Sequence, residues 1–171
     1  SATTISMATE GPNVTIVGNT AVDDRLGRSL HSGAGDVNDD GFFDIISGAD
    51  DTATVNSEGT TYIIYGGPSL PSQIPMGNSD VTVTGQANGD GMGLRVTGLG
   101  DVNNDGFPDV AMTALYNDDG GGTDAGAVYL IFGGSSVTAN IAARNSDVTI
   151  LGKAASDRFG NGLGGGQGNS G

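Results

Sequence analysis

The chain has 171 residues, with 20 acidic and 6 basic side chains, a formal net charge of −14 and no cysteine. This balance excludes a nucleic-acid-binding surface of the usual basic kind, and without cysteine no disulfide or thiol chemistry operates. No apolar run is long enough for a membrane-spanning helix, so we expect no membrane insertion. No segment holds a helical apolar period for three turns, and the 32 glycines favour short strands with tight turns. We therefore predict an all-β fold.

Residues 1–12 form a polar leader, and the first predicted strand follows at 14–18. Its sequence, Val-Thr-Ile-Val-Gly, returns as Val-Thr-Val-Thr-Gly at 81–85 and as Val-Thr-Ile-Leu-Gly at 148–152. Self-similarity of this kind indicates a repeat architecture. In this scheme the strand at 14–18 is the fourth strand of a preceding unit and stands alone.

Two complete units of four strands follow. The first unit has predicted strands near 26–33, 43–49, 60–65 and 80–85, and the second near 93–99, 109–114, 127–132 and 147–151. The connections at 66–79 and 133–146 are long and rich in turn-forming residues. They contain one helical turn at most, near 140–144.

An acidic loop of nine residues joins the first two strands of each unit, from Asp36 to Asp44 and again, 65 residues later, from Asp101 to Asp109. Side-chain oxygens stand at loop positions 1, 3, 5 and 9, Gly stands at position 6, and position 7 can add its carbonyl oxygen. Ca²⁺ prefers about six to eight hard oxygen ligands, and Gly permits the sharp bend. The spacing therefore predicts two Ca²⁺ sites, one formed by Asp36, Asn38, Asp40, Asp44 and the Phe42 carbonyl, the other by Asp101, Asn103, Asp105, Asp109 and the Phe107 carbonyl.

The loop begins like an EF-hand but ends differently. An EF-hand carries a bidentate Glu at position 12 and continues into a helix. Position 12 is here Ser47 or Met112, and strand-like residues follow position 9. We therefore expect the position-9 carboxylate to replace the missing Glu, in bidentate fashion. The alternative is a turn without a metal, because Asp, Asn and Gly favour turns by themselves.

Four strands per unit, the DxNxDGxxD loop and a Gly-rich first strand resemble FG-GAP repeats, the blades of integrin alpha-chain β-propellers. The Phe-Gly pair of that family is present at 159–160 and becomes Leu-Gly at 26–27 and Met-Gly at 92–93. Its Gly-Ala-Pro survives as Gly-Ala-Asp at 48–50 and is poorly matched at 113–115. The resemblance implies β-propeller blades, Ca²⁺ in both loops, and a location outside the cell or on its surface.

The chain then holds about two and a half repeats, at 13–78, 79–145 and, in part, 146–171 with its Gly-rich end. A propeller closes with about four to eight blades. Either the chain is a piece of a longer propeller, or copies of it complete one another. In the second case the strand at 14–18 and the unit beginning after Asp157, which would supply a first strand, are parts of one blade, and copies join head to tail into a ring or filament.

The sequence does not favour an enzyme. Its single His, His31, lies in a predicted inner strand, where a partly buried polar residue is the ordinary outcome. Acidic pairs at 23–24, 50–51 and 118–119 imitate a hydrolase dyad, but a solvated acidic turn is the default reading. The aromatic residues of the third strands are interpreted as packing between blades rather than as a sugar-stacking platform; they are Tyr62, Tyr65, Tyr129 and Phe132.

Three functions remain from the sequence. The first is an extracellular, Ca²⁺-stabilised structural or adhesive module. The second is a lectin-like propeller that binds glycans, which the absence of Trp and the 5% aromatic content weaken. The third is a non-catalytic part of a larger secreted enzyme. The expected partners are other copies of the chain or further repeats, together with a cell-surface protein or glycan, and no nucleic acid.

Overall fold

The structure is a computed structural model that describes residues 14–18, 25–50 and 58–164. The predicted leader and the Gly-rich end beyond residue 164 lie outside these ranges. The described part of the chain forms strands and two short 3-10 turns. The strands are β1 (Thr15–Val17), β2 (Ser29–Gly35), β3 (Asp44–Ala49), β4 (Thr60–Ile64), β5 (Gln73–Pro75), β6 (Val81–Thr84), β7 (Met92–Gly100), β8 (Asp109–Ala114), β9 (Ala127–Ile131), β10 (Asn140–Ala142) and β11 (Val148–Leu151).

Two antiparallel sheets follow the predicted repeat units. Blade A has the order β2-β3-β4-β6, and blade B has the order β7-β8-β9-β11. The fold is thus all-β and built from four-stranded antiparallel units, as predicted. The strands of both blades lie within a few residues of the positions expected from the sequence, because most of them are rich in β-branched and apolar residues and are bounded by turn-forming residues.

Two strands were missed by the sequence prediction, and both lie in the long connections. β5 pairs in parallel with β1, and β10 pairs in parallel with the outer edge of β6. Each is followed by a 3-10 turn, at Met76–Asn78 and Ala143–Asn145. They escaped prediction because three residues carry no readable alternation. The strand at 14–18 is consequently not alone, since β1 lies beside β5.

The unit after Asp157 corrects a second expectation. Residues 153–164 form turns rather than the predicted first strand. They fold back onto blade B, where the Phe159 N–H donates to the Ala125 carbonyl at 2.9 Å. A first strand needs a second strand beside it to satisfy its backbone groups, and the described residues offer none after blade B.

The main core lies between the two blades. Side chains from alternate positions of each blade meet there, including Ile46 and Ile63 from blade A and Met112 and Tyr129 from blade B, all at 0% exposure. Neighbouring residues on a strand face opposite sides, so Ile64 points away from this core. It joins a second apolar group, the leading cluster, which consists of Ile16, Leu26, Ala49, Ile64, Ile74 and Met76.

Glycines allow the two blades to touch. A Cβ placed on Gly48 of β3 would lie 1.9 Å from the carbonyl oxygen of Gly93, at the start of β7. Backbone meets backbone at this point, and any larger residue would separate the sheets. Among the described residues no helix is long and apolar enough to span a membrane.

Candidate metal-binding loops

In the first acidic loop, side chains of the loop accept hydrogen bonds from its own backbone amides. The Asp36 carboxylate accepts N–H bonds from Asp40 at 2.9 Å and Gly41 at 2.8 Å. The Asn38 oxygen accepts a second bond from the Asp40 N–H at 3.2 Å, and its amide donates to Asp40 Oδ2 at 2.9 Å. Asp40 Oδ1 accepts the N–H of Phe42 at 2.9 Å. Positions 1, 3 and 5 are thereby held together on the concave side of the turn.

The second loop reproduces the same network. Asp101 accepts N–H bonds from Asp105 at 3.0 Å and Gly106 at 2.9 Å, and the Asn103 amide donates to Asp105 Oδ2 at 2.7 Å. Asp105 Oδ1 accepts the Phe107 N–H at 2.9 Å. The position-6 glycines have φ of +89° and +97°, values that few other residues tolerate. The two loops, which differ in sequence only at positions 4 and 8, therefore adopt one geometry.

The position-9 carboxylates behave differently from the others, because both are fully buried. Asp44 Oδ2 accepts the Val37 N–H at 2.7 Å, and Asp44 Oδ1 accepts the Gly66 N–H at 2.8 Å. Asp109 likewise accepts from Val102 at 2.8 Å and from Gly133 at 3.0 Å. Each carboxylate thus links, through two hydrogen bonds, the second residue of its loop to a glycine that follows the third strand of the blade.

Electrostatics make the first loop unfavourable without a counter-ion. Burial raises the pKa of Asp44 from 3.8 to about 6, although the N–H bonds from Gly66 and Val37 oppose the rise. The negative charges of Asp40 and Asp36 raise this pKa further. A cation close to these three carboxylates would relieve both effects.

The donor chemistry fits a hard cation such as Ca²⁺. Each loop offers carboxylate, amide and main-chain oxygens and no nitrogen or sulfur ligand. Among the described residues no three His, Cys, Asp or Glu side chains form a compact cluster. The oxygens of the position-9 carboxylates accept hydrogen bonds from backbone amides. Each of these oxygens keeps a second lone pair beyond its N–H bond.

A hydrogen-bonded path joins the two loops. The Val37 N–H donates to Asp44, and the Val37 carbonyl accepts the N–H of Gly134 at 2.7 Å. The adjacent Gly133 donates to Asp109 of the second loop. The Gly-Gly pairs at 66–67 and 133–134 repeat in the sequence, which is the signal that could have identified these amides in advance.

His31 and Ser29 on β2 connect the blades. His31 Nδ1 accepts the N–H groups of Gly33 and Gly98, each at 3.3 Å, and Ser29 Oγ accepts the N–H of Val96 at 2.9 Å. This imidazole is a partly buried structural acceptor, which agrees with the interpretation drawn from the sequence.

The acidic pairs also have structural partners where the structure describes them. Asp50 is fully buried, with Arg28 Nη1 at 2.7 Å and Arg25 Nη1 at 3.7 Å. Asp118 accepts the N–H of Asp124 at 2.8 Å. The remaining members of the first two pairs, at positions 23, 24 and 51, lie outside the described residues.

A buried polar group in the second unit was not anticipated from the sequence. Asp90 is 4% exposed and Asn117 is 1% exposed, and the Asn117 amide donates to Asp90 at 2.9 Å and to Asp119 at 3.3 Å. Burial raises the pKa of Asp90, and the nearby Asp119 and Asp118 add to the rise. Tyr129 lies close by, where its hydroxyl accepts from the Gln86 amide at 2.8 Å.

Comparison with known proteins agrees with this architecture. Residues 94–131 match the FG-GAP repeat family. The chain is 35% identical over 106 residues to integrin alpha pat-2 of Caenorhabditis elegans, and 32% identical over 151 residues to integrin alpha pat-2 of Caenorhabditis briggsae. These matches cover 61% and 85% of this chain but only 8% and 12% of the relatives. The predicted resemblance to FG-GAP repeats of the integrin alpha type is confirmed.

Proposed function

We propose that this chain, which contains FG-GAP repeats of the integrin alpha type, is a calcium-stabilised structural and adhesive propeller module that acts outside the cell or at its surface. The observation that carries the proposal is the identical hydrogen-bond network in both acidic loops. A turn that merely reverses the chain would not need the same oxygens at positions 1, 3, 5 and 9 in two repeats.

Bound Ca²⁺ would supply positive charge and a cross-link among the oxygens of each loop. The ligands in the first loop would be the side chains of Asp36, Asn38, Asp40 and Asp44, with the Phe42 carbonyl. In the second loop they would be Asp101, Asn103, Asp105 and Asp109, with the Phe107 carbonyl. Two ions would bring the net charge of −14 to −10 and reduce the self-repulsion of the fold.

The position-9 aspartates would transmit this effect to the blades. Asp44 is buried and joins the loop to Gly66 at the exit of β4, while Asp109 joins Gly133 after β9. An ion that keeps the Asp44 carboxylate ionised would therefore strengthen the contact between the first loop and the third strand of its blade. The role of the metal is structural, and we propose no catalytic activity for the chain.

Adhesion is proposed from the kinship with integrin alpha chains and from the form of a propeller blade. The partners would be further FG-GAP repeats or other copies of the chain, joined head to tail into a ring or filament, and a cell-surface protein or glycan. Calorimetric titration of the metal-free chain with CaCl₂ tests the metal sites, with two bound ions expected per chain. No heat of binding and no retained Ca²⁺ by elemental analysis would contradict the proposal.

A lectin-like module is the second candidate. The fully buried Tyr129 weakens it, since this ring packs between the blades and cannot stack on a sugar. Binding of the Ca²⁺-loaded chain to a glycan array would favour the lectin, whereas Ca²⁺-dependent attachment to cells stripped of glycans would favour the adhesive module.

A further inference from the structure

Two segments of the chain share a sequence but differ in burial. The N-terminal segment (14–18 and 25–27) contains β1, and the C-terminal segment (148–152 and 158–160) contains β11. Val-Thr-Ile-Val-Gly and Arg-Leu-Gly in the first correspond to Val-Thr-Ile-Leu-Gly and Arg-Phe-Gly in the second. The structure therefore shows two versions of one building block in different surroundings.

Burial separates the two versions sharply. Ile16 and Leu26 of the N-terminal segment are 2% and 4% exposed, because they fill the leading cluster on blade A. Their counterparts Ile150 and Phe159 are 43% and 42% exposed. Isolated exposed apolar residues are ordinary, but here each one is the counterpart of a residue that is buried in the same chain.

The junction between the blades supplies a third example. There the matching positions are Val83 on β6 and Met92 on β7, and both are 0% exposed in the core between the blades. Apolar residues at these two positions are thus buried wherever a blade follows. Ile150 and Phe159 are also apolar and occupy the same two positions, but among the described residues no blade follows to cover them.

We propose that the C-terminal segment of one copy takes the place of the N-terminal segment of a second copy, so that Ile150 and Phe159 fill the second copy's leading cluster. This exchange rests on the head-to-tail assembly of blades in the proposed function. It adds the surface at which two copies would meet. A second copy of the chain is the partner that the structure favours. Each chain carries the exposed C-terminal segment, and each chain also carries the leading cluster, which already buries the nearly identical N-terminal segment.

Backbone pairing provides a defined register for this exchange. β1 pairs in parallel with β5, with Thr15 opposite Gln73 and Ile16 opposite Ile74. β10 pairs with β6 in the same way, which shows that the arrangement recurs in the fold. β11 lies at the end of its sheet, with β9 as its neighbour on one side. Parallel addition to its other side would place Thr149 opposite Gln73 of the second copy.

A charged contact follows the same correspondence. Arg25 lies 3.7 Å from the buried carboxylate of Asp50, and Arg158 is its counterpart in the C-terminal segment. Arg158 now lies 3.6 Å from Asp124, in a half-exposed ion pair. After the exchange its guanidinium would face Asp50 of the second copy, so the incoming segment would replace the charge as well as the apolar contacts.

The absence of native cysteine permits a direct test of the register. Full-length Gln73→Cys and Thr149→Cys chains are mixed in Ca²⁺ buffer, oxidised, digested and analysed by mass spectrometry. We expect the 73–149 disulfide to exceed its yield with the control Lys153→Cys by more than about tenfold, since that residue lies about 13 Å further along the strand direction. Equal yields from the two mixtures would overturn the proposal.

Two further variants separate exchange from nonspecific association, each measured by light scattering across a concentration series. Ile150→Asp places a charge in the incoming segment and should remove association, although its exposed position leaves the monomer folded. Ile16→Asp weakens the resident segment and should promote association, and adding Ile150→Asp should reverse that gain. A wild-type chain that stays monomeric at high concentration, or association of the double variant equal to that of Ile16→Asp, would refute the exchange. Calcium titration of Ile150→Asp, which lies outside both loops, reports separately on the proposed metal sites.

Discussion

The Nδ1 atom of His31 lies 3.3 Å from the backbone nitrogen of Gly98, so an imidazole on blade A accepts a hydrogen bond from blade B. The same atom accepts the N–H of Gly33 on its own strand. We expect His31→Ala to lower the free energy of unfolding by about 1–3 kcal/mol, because two partly buried N–H groups lose their acceptor. Urea unfolding measures this change, and the exposed Ser136→Ala serves as control. A loss no larger than that of the control would contradict the bridging role.

Calcium removal should destabilise the chain. A bound ion at each proposed site would contribute about 2.7 kcal/mol when free Ca²⁺ is about 100 times its Kd. We therefore expect EDTA to lower the Tm by about 5 °C or more and excess Ca²⁺ to restore it. Differential scanning calorimetry measures the shift, and added Mg²⁺ tests whether the smaller ion can substitute. An identical melt in EDTA and in Ca²⁺ would exclude a stabilising metal.

The ligands of each loop should not be equal in effect. Asp44→Ala should abolish binding at the first site and also destabilise the Ca²⁺-free chain, because the N–H groups of Val37 and Gly66 lose their acceptor. Asn38→Ala removes one neutral oxygen and should weaken Ca²⁺ binding with less effect on the apo fold. Calorimetric titration and urea unfolding of both variants decide this, with Asp109→Ala and Asn103→Ala as the matched pair in the second loop. Equal losses throughout would count against a special role for position 9.

Asp90 gives the stability a predictable pH dependence. Burial raises its pKa in the folded state, so the protonated form is favoured by folding. The stability from this group is present below its ordinary pKa of 3.8 and is lost as the pH rises through the raised value. We expect Asp90→Asn, whose oxygen can still accept from Ala87 and Asn117, to gain stability relative to wild type over this interval. Urea midpoints from pH 3 to pH 7 check it, and a difference that does not change with pH would disprove the argument.

The contact between Gly48 and Gly93 should tolerate no side chain. Gly48→Ala would force β3 and β7 apart, since the carbonyl that its Cβ meets is backbone and cannot rotate away. We expect a loss of about 1–3 kcal/mol or more in the free energy of unfolding. Gly77→Ala is the matched control, because its Cβ would meet nothing within 4 Å. Similar unfolding free energies for the two variants would show that the blades can separate without cost.

Strands that are continuous runs of β-branched, aromatic and small apolar residues could be predicted from the sequence almost to their ends, as β8 and β9 illustrate. β5 and β10 could not, because Gln73–Pro75 and Asn140–Ala142 become strands through pairing with a distant edge rather than through their own pattern. Residues after Asp157 match the sequence of a first strand yet form turns, since strand formation depends on a neighbour that sequence similarity alone does not supply.

The candidate metal ligands were proposed from their spacing, and hydrogen bonds hold the side chains at positions 1, 3 and 5 of each loop close together. Their coordination of Ca²⁺ stays a prediction. The repeated Gly-Gly pairs mark Gly66 and Gly133 in the sequence, but the hydrogen bonds of their amides to Asp44 and Asp109 were not predicted, because each bond joins residues more than twenty positions apart. The buried Asp90–Asn117 contact escaped for the same reason.

Position 2 of the acidic loop bears on how such repeats evolve. Val37 is 0% exposed because the following repeat covers it and hydrogen-bonds its carbonyl, whereas the equivalent Val102 is 52% exposed. Packing therefore constrains the residue at this position only where a neighbouring repeat covers it. In an alignment of repeats from related chains, position 2 should vary less in repeats that are followed by another blade. Val102 is the residue expected at this position if a further blade docks against the second loop.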